Sequence, residues 1–309
     1  MKYFYGPVYS RRLGFSLGIN LFPKKLCSFN CVYCQLGRTR RRRIERVSLV
    51  NFSQFKKEFK EIIKRNPKID YITFSGCGEP TLHKNLDRLI GIIKKVIKDK
   101  HPVCLITNSS LLYKKEIREE LKNIDLIIPS LDAPQEKLFK KINSPHKKIS
   151  FSKIVEGLIE FRKDYKSIKF WLEIMLVKDF NDKEEIAYEF KKIIKKINPD
   201  KVQLNLPLRP NPSSKINFTP SYSIVRKFKT ILGKNCEIVK LKKTKGGERR
   251  IMEKEIILNS LKNRPQTIED LATAFGTDKK ILEGAVRNLL KKRIVERVEK
   301  DKKIYFLAK

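Results

Sequence analysis

Three of the six cysteines, Cys27, Cys31 and Cys34, fall within the eight residues CSFNCVYC. The C-x3-C-x2-C spacing lets three thiolates wrap one corner of a cubane iron–sulfur cluster. Such clusters normally take four Cys, so three local ligands leave one iron without a protein ligand. That iron is open to a substrate, as the vacant position of a catalytic zinc site is. A closed zinc site wants four N or S ligands. No C-x2-C or H-x3-H pair exists elsewhere, and the histidines, His83, His101 and His146, are widely spaced; only a distant fourth ligand would make zinc fit. A ferredoxin-like carrier would want a fourth cysteine nearby. Cys77, Cys104 and Cys236 are expected to be packed thiols rather than ligands of a second cluster.

Further groups capable of chemistry lie along the chain. Gly76-Cys77-Gly78-Glu79-Pro80 has two glycines that let backbone approach a ligand closely, and Glu79 can accept from an ammonium; an ordinary strand-to-helix turn is the other reading. Thr107, Asn108 and Ser109, and then Ser130-Leu131-Asp132, are polar runs that serve either a ligand or helix caps. Trp171, Glu173 and Met175 share one face of a strand pattern. If that face is inward, Glu173 must bind something, because a buried unpaired carboxylate is costly; otherwise it faces solvent. Gln203 and Asn205 also share a face and are followed by Arg209, to hold a polar substrate or to satisfy the end of the fold. Arg38, Arg40, Arg41, Arg42 and Arg43 follow the cysteine loop and suit bidentate phosphate contacts, or form an exposed charged face.

These residues need a scaffold that gathers them. Six β-like runs, at 15–22, 71–75, 103–107, 126–131, 170–177 and 201–206, alternate with amphipathic stretches such as NLDRLIGIIKKVIK (85–98) and FSKIVEGLIEF (151–161). Repeated strand–helix units imply parallel strands with helical crossovers. Six units fall short of a closed eight-unit barrel and predict an α/β fold of the partial (βα)6 type, with the chemistry at the strands' C-terminal ends. PLRPNPSS reads as a loop, SIVRKFKTIL as a helix, and LKKTKGGERR as a linker. The expected division is a catalytic unit over 1–240, a linker over 241–250 and a small domain over 251–309. In the last, IMEKEIILNSL reads as a helix, Thr267 opens a TIED capping box, Gly276 suits a turn, and residues 278–291 form a helix. IVERV and IYFL flank a hairpin. Three helices and a hairpin predict a winged helix.

With Tyr33 as the aromatic, the cysteine loop has the pattern C-x3-C-x-aromatic-C. Together with YGPVYSRRLGFSLGINLFPKKLCSFNCVYCQLGRT, SGCGEPTL, TNSSLL and SLDA, it resembles the radical SAM superfamily. Within it, the chain is similar to the oxidoreductases related to tRNA wyosine-type imidazoguanosine synthases, over residues 1 to about 210. The resemblance implies a [4Fe–4S] cluster on Cys27, Cys31 and Cys34, with S-adenosylmethionine (SAM) chelating the open iron. It places Tyr33, Gly76, Cys77, Gly78, Glu79 and Pro80 at the cofactors, Glu79 at the SAM amino group, and Thr107, Asn108, Ser130 and Asp132 along SAM; an inward Glu173 would contact SAM or substrate. Cys77 stands where glycine is usual. Reduction by a flavodoxin or ferredoxin would cleave SAM to methionine and a 5′-deoxyadenosyl radical. The implied substrate is RNA, with Arg38, Arg40–Arg43, Gln203, Asn205 and Arg209 as its contacts. Two other readings are a nucleic-acid-binding regulator whose cluster senses redox state or oxygen, and a radical SAM enzyme acting on a protein.

The net charge of +36 attracts polyanions, although Lys scattered through helices, as in KKEFKEIIKRNPK, is also a general compositional bias. Residues 251–309 carry 14 Lys+Arg and 9 Asp+Glu, only +5 of the total, so RNA is expected to bind the catalytic unit more than the winged helix. A hydrophobic content of 40% excludes a disordered polyelectrolyte. No apolar run approaches the roughly 18 residues of a membrane helix. The N-terminus lacks a secretory signal pattern, and a cytoplasmic protein without a membrane partner is expected.

Overall fold

The computed structural model describes residues 2–213, 216–239, 254–275 and 277–308. The predicted strands form close to their expected bounds as β2 (Gly14–Asn20), β3 (Tyr71–Ser75), β4 (Val103–Thr107), β5 (Leu126–Pro129), β6 (Lys169–Met175) and β7 (Lys201–Asn205). Each pairs in parallel with the next. Two strands were not expected. β1 (Phe4–Ser10) joins β2 as an antiparallel edge hairpin, with an irregular register between Tyr5 and Val8. The Gly6-Pro7 pair hides it from a pattern search, because Pro inside a run argues against a strand except at an edge or bulge. β8 (Cys236–Ile238) pairs with β7 and has too few residues to show a period. Cys236 begins this strand and is buried, as is Cys104 within β4.

The sheet order follows the chain, β1 to β8, with β1 and β8 as its two outer strands. Among the described residues the barrel is thus open on the side between them. Its outer face is covered by α1 (Phe52–Lys64), α2 (Leu86–Ile97), α3 (Lys115–Glu120), α4 (Glu136–Asn143), α5 (Phe151–Asp164), α6 (Glu184–Ile197) and α7 (Tyr222–Leu232). The helices turn apolar stripes inward. In α2 the buried residues are Leu86, Leu89, Ile90, Ile93 and Ile97, the i, i+3, i+4, i+7 set of one helical face. Each such side chain contributes about 1.5–3 kcal/mol by leaving water. Inside the sheet, Leu13, Cys104, Leu126 and Ile128 form a separate apolar cluster near the strands' N-terminal ends. It plugs the base of the barrel and confines open space to the end where the strands exit.

The C-terminal part comprises α8 (Lys254–Asn263), α9 (Ile268–Phe275), α10 (Lys279–Lys291) and a hairpin of β9 (Val295–Lys300) and β10 (Lys303–Ala308). This is the expected element order. Thr267 and Asp270 make the reciprocal capping bonds at the start of α9: Asp270 N donates to Thr267 Oγ1 (3.0 Å) and Thr267 N to Asp270 Oδ2 (3.2 Å). The linker over 241–250 and the turn at Gly276 lie outside the described residues. The module packs on β1, whose Tyr9 joins its apolar cluster. It also holds the loop after β7: Arg209 Nε donates to Pro265 O (3.0 Å) and Tyr305 Oη to Leu208 O (3.1 Å). It therefore sits on the open side of the barrel. No helix among the described residues is long and apolar enough to cross a membrane.

Candidate active site

The loop after β2 carries the three cysteines and is fixed by backbone bonds to the turn after β3 and to the end of α4. Leu26 N donates to Cys77 O (3.1 Å) and Glu79 N to Leu26 O (2.9 Å); Asn30 N donates to Asn143 O and Val32 N to Ile142 O (both 2.9 Å). Gly78 makes the first of these contacts possible. Its φ is +126°, and a Cβ there would stand 1.8 Å from Leu26 O. Gly78→Ala is therefore expected to destabilise the fold by roughly 2–5 kcal/mol, from backbone strain plus overpacking. Urea denaturation measures this, and a change below about 1 kcal/mol would contradict it.

Each sulfur has a nearby donor. Lys25 Nζ lies 3.1 Å from Cys34 Sγ, Asn108 Nδ2 3.5 Å from Cys27 Sγ, and Asn143 Nδ2 3.4 Å from Cys31 Sγ. Burial pushes the Cys27 thiol up to about 12. It also raises Cys31, with the charge of Asp132 adding to the effect.

Two buried carboxylates organise the surrounding exits. Glu79 Oε1 accepts from Thr81 N (3.0 Å), Thr81 Oγ1 (2.7 Å) and Thr107 Oγ1 (2.7 Å), and Oε2 accepts from Asn108 N (2.6 Å). Burial raises its pKa while these donors oppose the rise. Three donors crowd Oε1 and one reaches Oε2, so Oε2 keeps an acceptor site. Glu79 ties the β3 and β4 exits together, aims Asn108 at Cys27 and lines the cavity described next. Asp132 accepts from Tyr33 Oη, from Asn143 Nδ2 (2.7 Å) and from Met175 N (3.0 Å). It braces the aromatic of the cysteine loop rather than lining open space.

A cavity of about 320 Å³ opens at the strand exits. Cys27, Tyr33, Cys34, Gly76, Gly78, Glu79, Thr107, Asn108, Ser130, Glu173, Asn205 and Arg209 line it. Of the residues singled out in the sequence, Cys31, Cys77, Pro80, Ser109, Leu131, Asp132, Trp171 and Gln203 are not among those that line it. Gln203 Nε2 instead donates to Glu237 of β8 (2.7 Å). Arg38, Arg40, Arg41, Arg42 and Arg43 lie away from the cavity as well. Arg42 is spent on Ser144 and Pro145, Arg43 is half-buried, and Arg38, Arg40 and Arg41 are exposed.

Sequence reasoning missed the arginines of the β1–β2 turn and of the C-terminal module. Arg12 forms an ion pair with Glu173 inside the cavity, so Glu173 faces inward and has its partner. Asn205 Nδ2 donates to the same Glu173 carboxylate (2.9 Å), and Arg11 Nη2 donates to Asn205 Oδ1 (3.0 Å). Arg264 also lines the cavity. Glu173→Gln leaves Arg12 buried without a counter-charge and is expected to cost about 3–5 kcal/mol. The double variant Glu173→Gln/Arg12→Met should recover much of that loss in urea denaturation; additive losses would show that the pair is not coupled.

The radical SAM superfamily matches this sequence over residues 22–190. The chain belongs to that superfamily. The UPF0026 protein of Methanocaldococcus jannaschii is 40% identical over 250 residues, covering 79% of this chain and 76% of that protein. A protein of Brachyspira hyodysenteriae named GTPase Obg is 43% identical over 298 residues, 95% of this chain, while the chain spans 42% of that protein's length. The probable dual-specificity RNA methyltransferase RlmN of Malacoplasma penetrans is 30% identical over 180 residues, 55% of this chain and 49% of that one. The structure of TYW1 with a lysine–pyruvate adduct bound superposes with a TM-score of 0.54 at 17% identity, over 74% of this chain and 75% of that one, and so shares the fold.

As a radical SAM protein the chain is an enzyme, and its family implies SAM and an iron–sulfur cluster. The residues present fit the cluster. Cys27, Cys31 and Cys34 stand on one loop, with Cys27 and Cys34 on the cavity, and a cluster spreads its thiolates over separate irons. The N–H donors beside each sulfur are those that stabilise metal-bound thiolates. On binding, the metal would displace the thiol protons, which are released to solvent.

Proposed function

We propose that this enzyme reductively cleaves SAM at a [4Fe–4S] cluster held by Cys27, Cys31 and Cys34, in the reducing cytoplasm, and acts on RNA. The observation that carries the reading is the cavity onto which Cys27, Cys34 and the Gly76–Glu79 turn all open. When bound, the cluster would supply SAM with one electron from a flavodoxin or ferredoxin, giving methionine and a 5′-deoxyadenosyl radical that becomes 5′-deoxyadenosine by taking a hydrogen atom from the substrate. The chain's own residues hold and shield that chemistry. Lys25, Asn108 and Asn143 donate to the sulfurs, Glu79 sets Asn108 in place, and the small residues Gly76 and Gly78 leave room for a ligand along the backbone.

An RNA substrate is supported by the +36 charge, by the exposed Arg38, Arg40 and Arg41 beside the cysteine loop, and by a relative whose name states RNA methylation. The test is anaerobic reconstitution with iron and sulfide, then dithionite, SAM and bulk tRNA. We expect 5′-deoxyadenosine to accumulate, and tRNA binding to weaken with salt. Arg40→Gln/Arg41→Gln should reduce that salt slope by about 0.7–0.9 for each phosphate the variant no longer neutralises. Absence of 5′-deoxyadenosine would refute SAM cleavage, and salt-independent or absent tRNA binding would refute the RNA reading.

A further inference from the structure

Three guanidinium groups meet where the barrel cavity passes under the C-terminal module. Arg11 comes from the β1–β2 turn, Arg209 from the loop after β7 and Arg264 from the segment between α8 and α9. Arg12, beside them, is neutralised by Glu173. The other three have only neutral acceptors. Arg11 Nη2 donates to Asn205 Oδ1 (3.0 Å), Arg209 Nε to Pro265 O (3.0 Å), and Arg264 Nη2 to Tyr9 O (3.3 Å) and Gln266 Oε1 (3.4 Å). Among the described residues none of the three forms an ion pair. Arg11 Nη1 and Arg264 Nε are buried with no hydrogen-bond partner at all. Burial, followed by the repulsion of Arg209, lowers Arg11 to about 9 and Arg264 to about 10. Asp270 offsets part of this charge, and gathering the like charges in a half-buried space is unfavourable unless a ligand supplies the rest.

We infer that Arg11, Arg209 and Arg264 form the seat for a phosphate group of the substrate, so that the C-terminal module completes the active site. Orphaned N–H groups on planar guanidinium forks suit the paired oxygens of a phosphate. SAM is a poor candidate for the seat, because its sulfonium and ammonium outweigh its carboxylate and the net cation is repelled there. A groove of about 970 Å³ between the barrel and the module shares Arg11, Leu208 and Arg209 with the cavity. It brings Lys279, Lys302 and Lys303 to the entrance, together with the acidic Glu269, Asp270 and Glu283. A strand of nucleic acid laid in the groove would thus reach the cavity phosphate-first. This inference rests on the proposed function and extends it to the position of the substrate.

The test uses the full-length reconstituted protein with inorganic phosphate and SAM as separate probes. Phosphate should protect Arg11 and Arg264 of the wild type from phenylglyoxal labelling, read by peptide mass spectrometry. Arg11→Gln/Arg264→Gln should lower phosphate affinity at least tenfold and change SAM affinity less than twofold. Phosphate affinity that stays unchanged, protection absent in the wild type, or SAM affinity that falls alongside would each overturn the inference. If phosphate protects the two arginines but bulk tRNA does not bind, the seat stands and the RNA reading fails. If tRNA binds the wild type and the double variant equally, the seat fails while the RNA reading stands.

Discussion

Replacing Cys27, Cys31 and Cys34 together by alanine is expected to remove essentially all bound iron, the brown absorbance at roughly 400 nm and all formation of 5′-deoxyadenosine. The thiolates are the cluster's only local ligands: the other cysteines are Cys77 in the turn after β3, and Cys104 and Cys236 buried in β4 and β8. The loop itself should survive. Its anchors are backbone bonds to the β3 turn and to α4, and alanine keeps every one of them. A near-native urea midpoint alongside lost iron would therefore separate chemistry from folding. Full iron retained by the triple variant would refute the cluster assignment. Unchanged iron in Cys77→Ser is the complementary expectation, since Cys77 stands outside the cavity wall that Cys27 and Cys34 line.

The sequence carries the barrel plainly because buried parallel strands write themselves as short apolar runs between amphipathic helices. It does not carry β1, whose Gly6-Pro7 pair breaks the alternation, or β8, with its three residues. The same limit governs the site. Glu79 and Asn108 are legible as polar residues at strand exits, but nothing in their spacing says that Glu79 accepts from the Asn108 backbone N–H. Gln203 and Asn205 share a strand face, yet Asn205 reaches the cavity and Gln203 turns to Glu237. Arg11 and Arg12 look like ordinary turn residues in YSRRLG. Their significance depends on being buried against β6 and β7, a consequence of the hairpin folding over the barrel's open side. Arg264 joins them from more than two hundred residues away, a meeting that only docking of the C-terminal module creates. The usable signal was weak: two adjacent arginines just before the first strand-like run.

Asp132 offers the second large effect. The sequence placed it along SAM, and the structure places it behind Tyr33. It is 3% exposed and accepts from Tyr33 Oη, Asn143 Nδ2 and Met175 N, joining the cysteine loop, α4 and β6. Asp132→Ala leaves a hydroxyl, an amide and a backbone N–H without an acceptor, at about 1–3 kcal/mol for each that stays buried. We expect a loss of roughly 3–5 kcal/mol in urea denaturation, with reduced iron loading because Tyr33 is no longer braced. Asp132→Asn separates these roles. Its oxygen can still accept from Met175 N, and its new NH2 can donate to the Tyr33 hydroxyl. The NH2 of Asn143 would then face another donor, so Asn143 must flip and present its oxygen, which is buried and unpartnered in the native arrangement. The flip withdraws the amide that lies 3.4 Å from Cys31 Sγ. Hydrogen bonds to cluster sulfurs raise the reduction potential, so the asparagine variant should load iron normally and be reduced only at a more negative potential. A redox titration followed by electron paramagnetic resonance measures the difference. An unchanged potential would mean that Asp132 acts on Tyr33 alone, and that the path through Asn143 to Cys31 has no influence on the cluster.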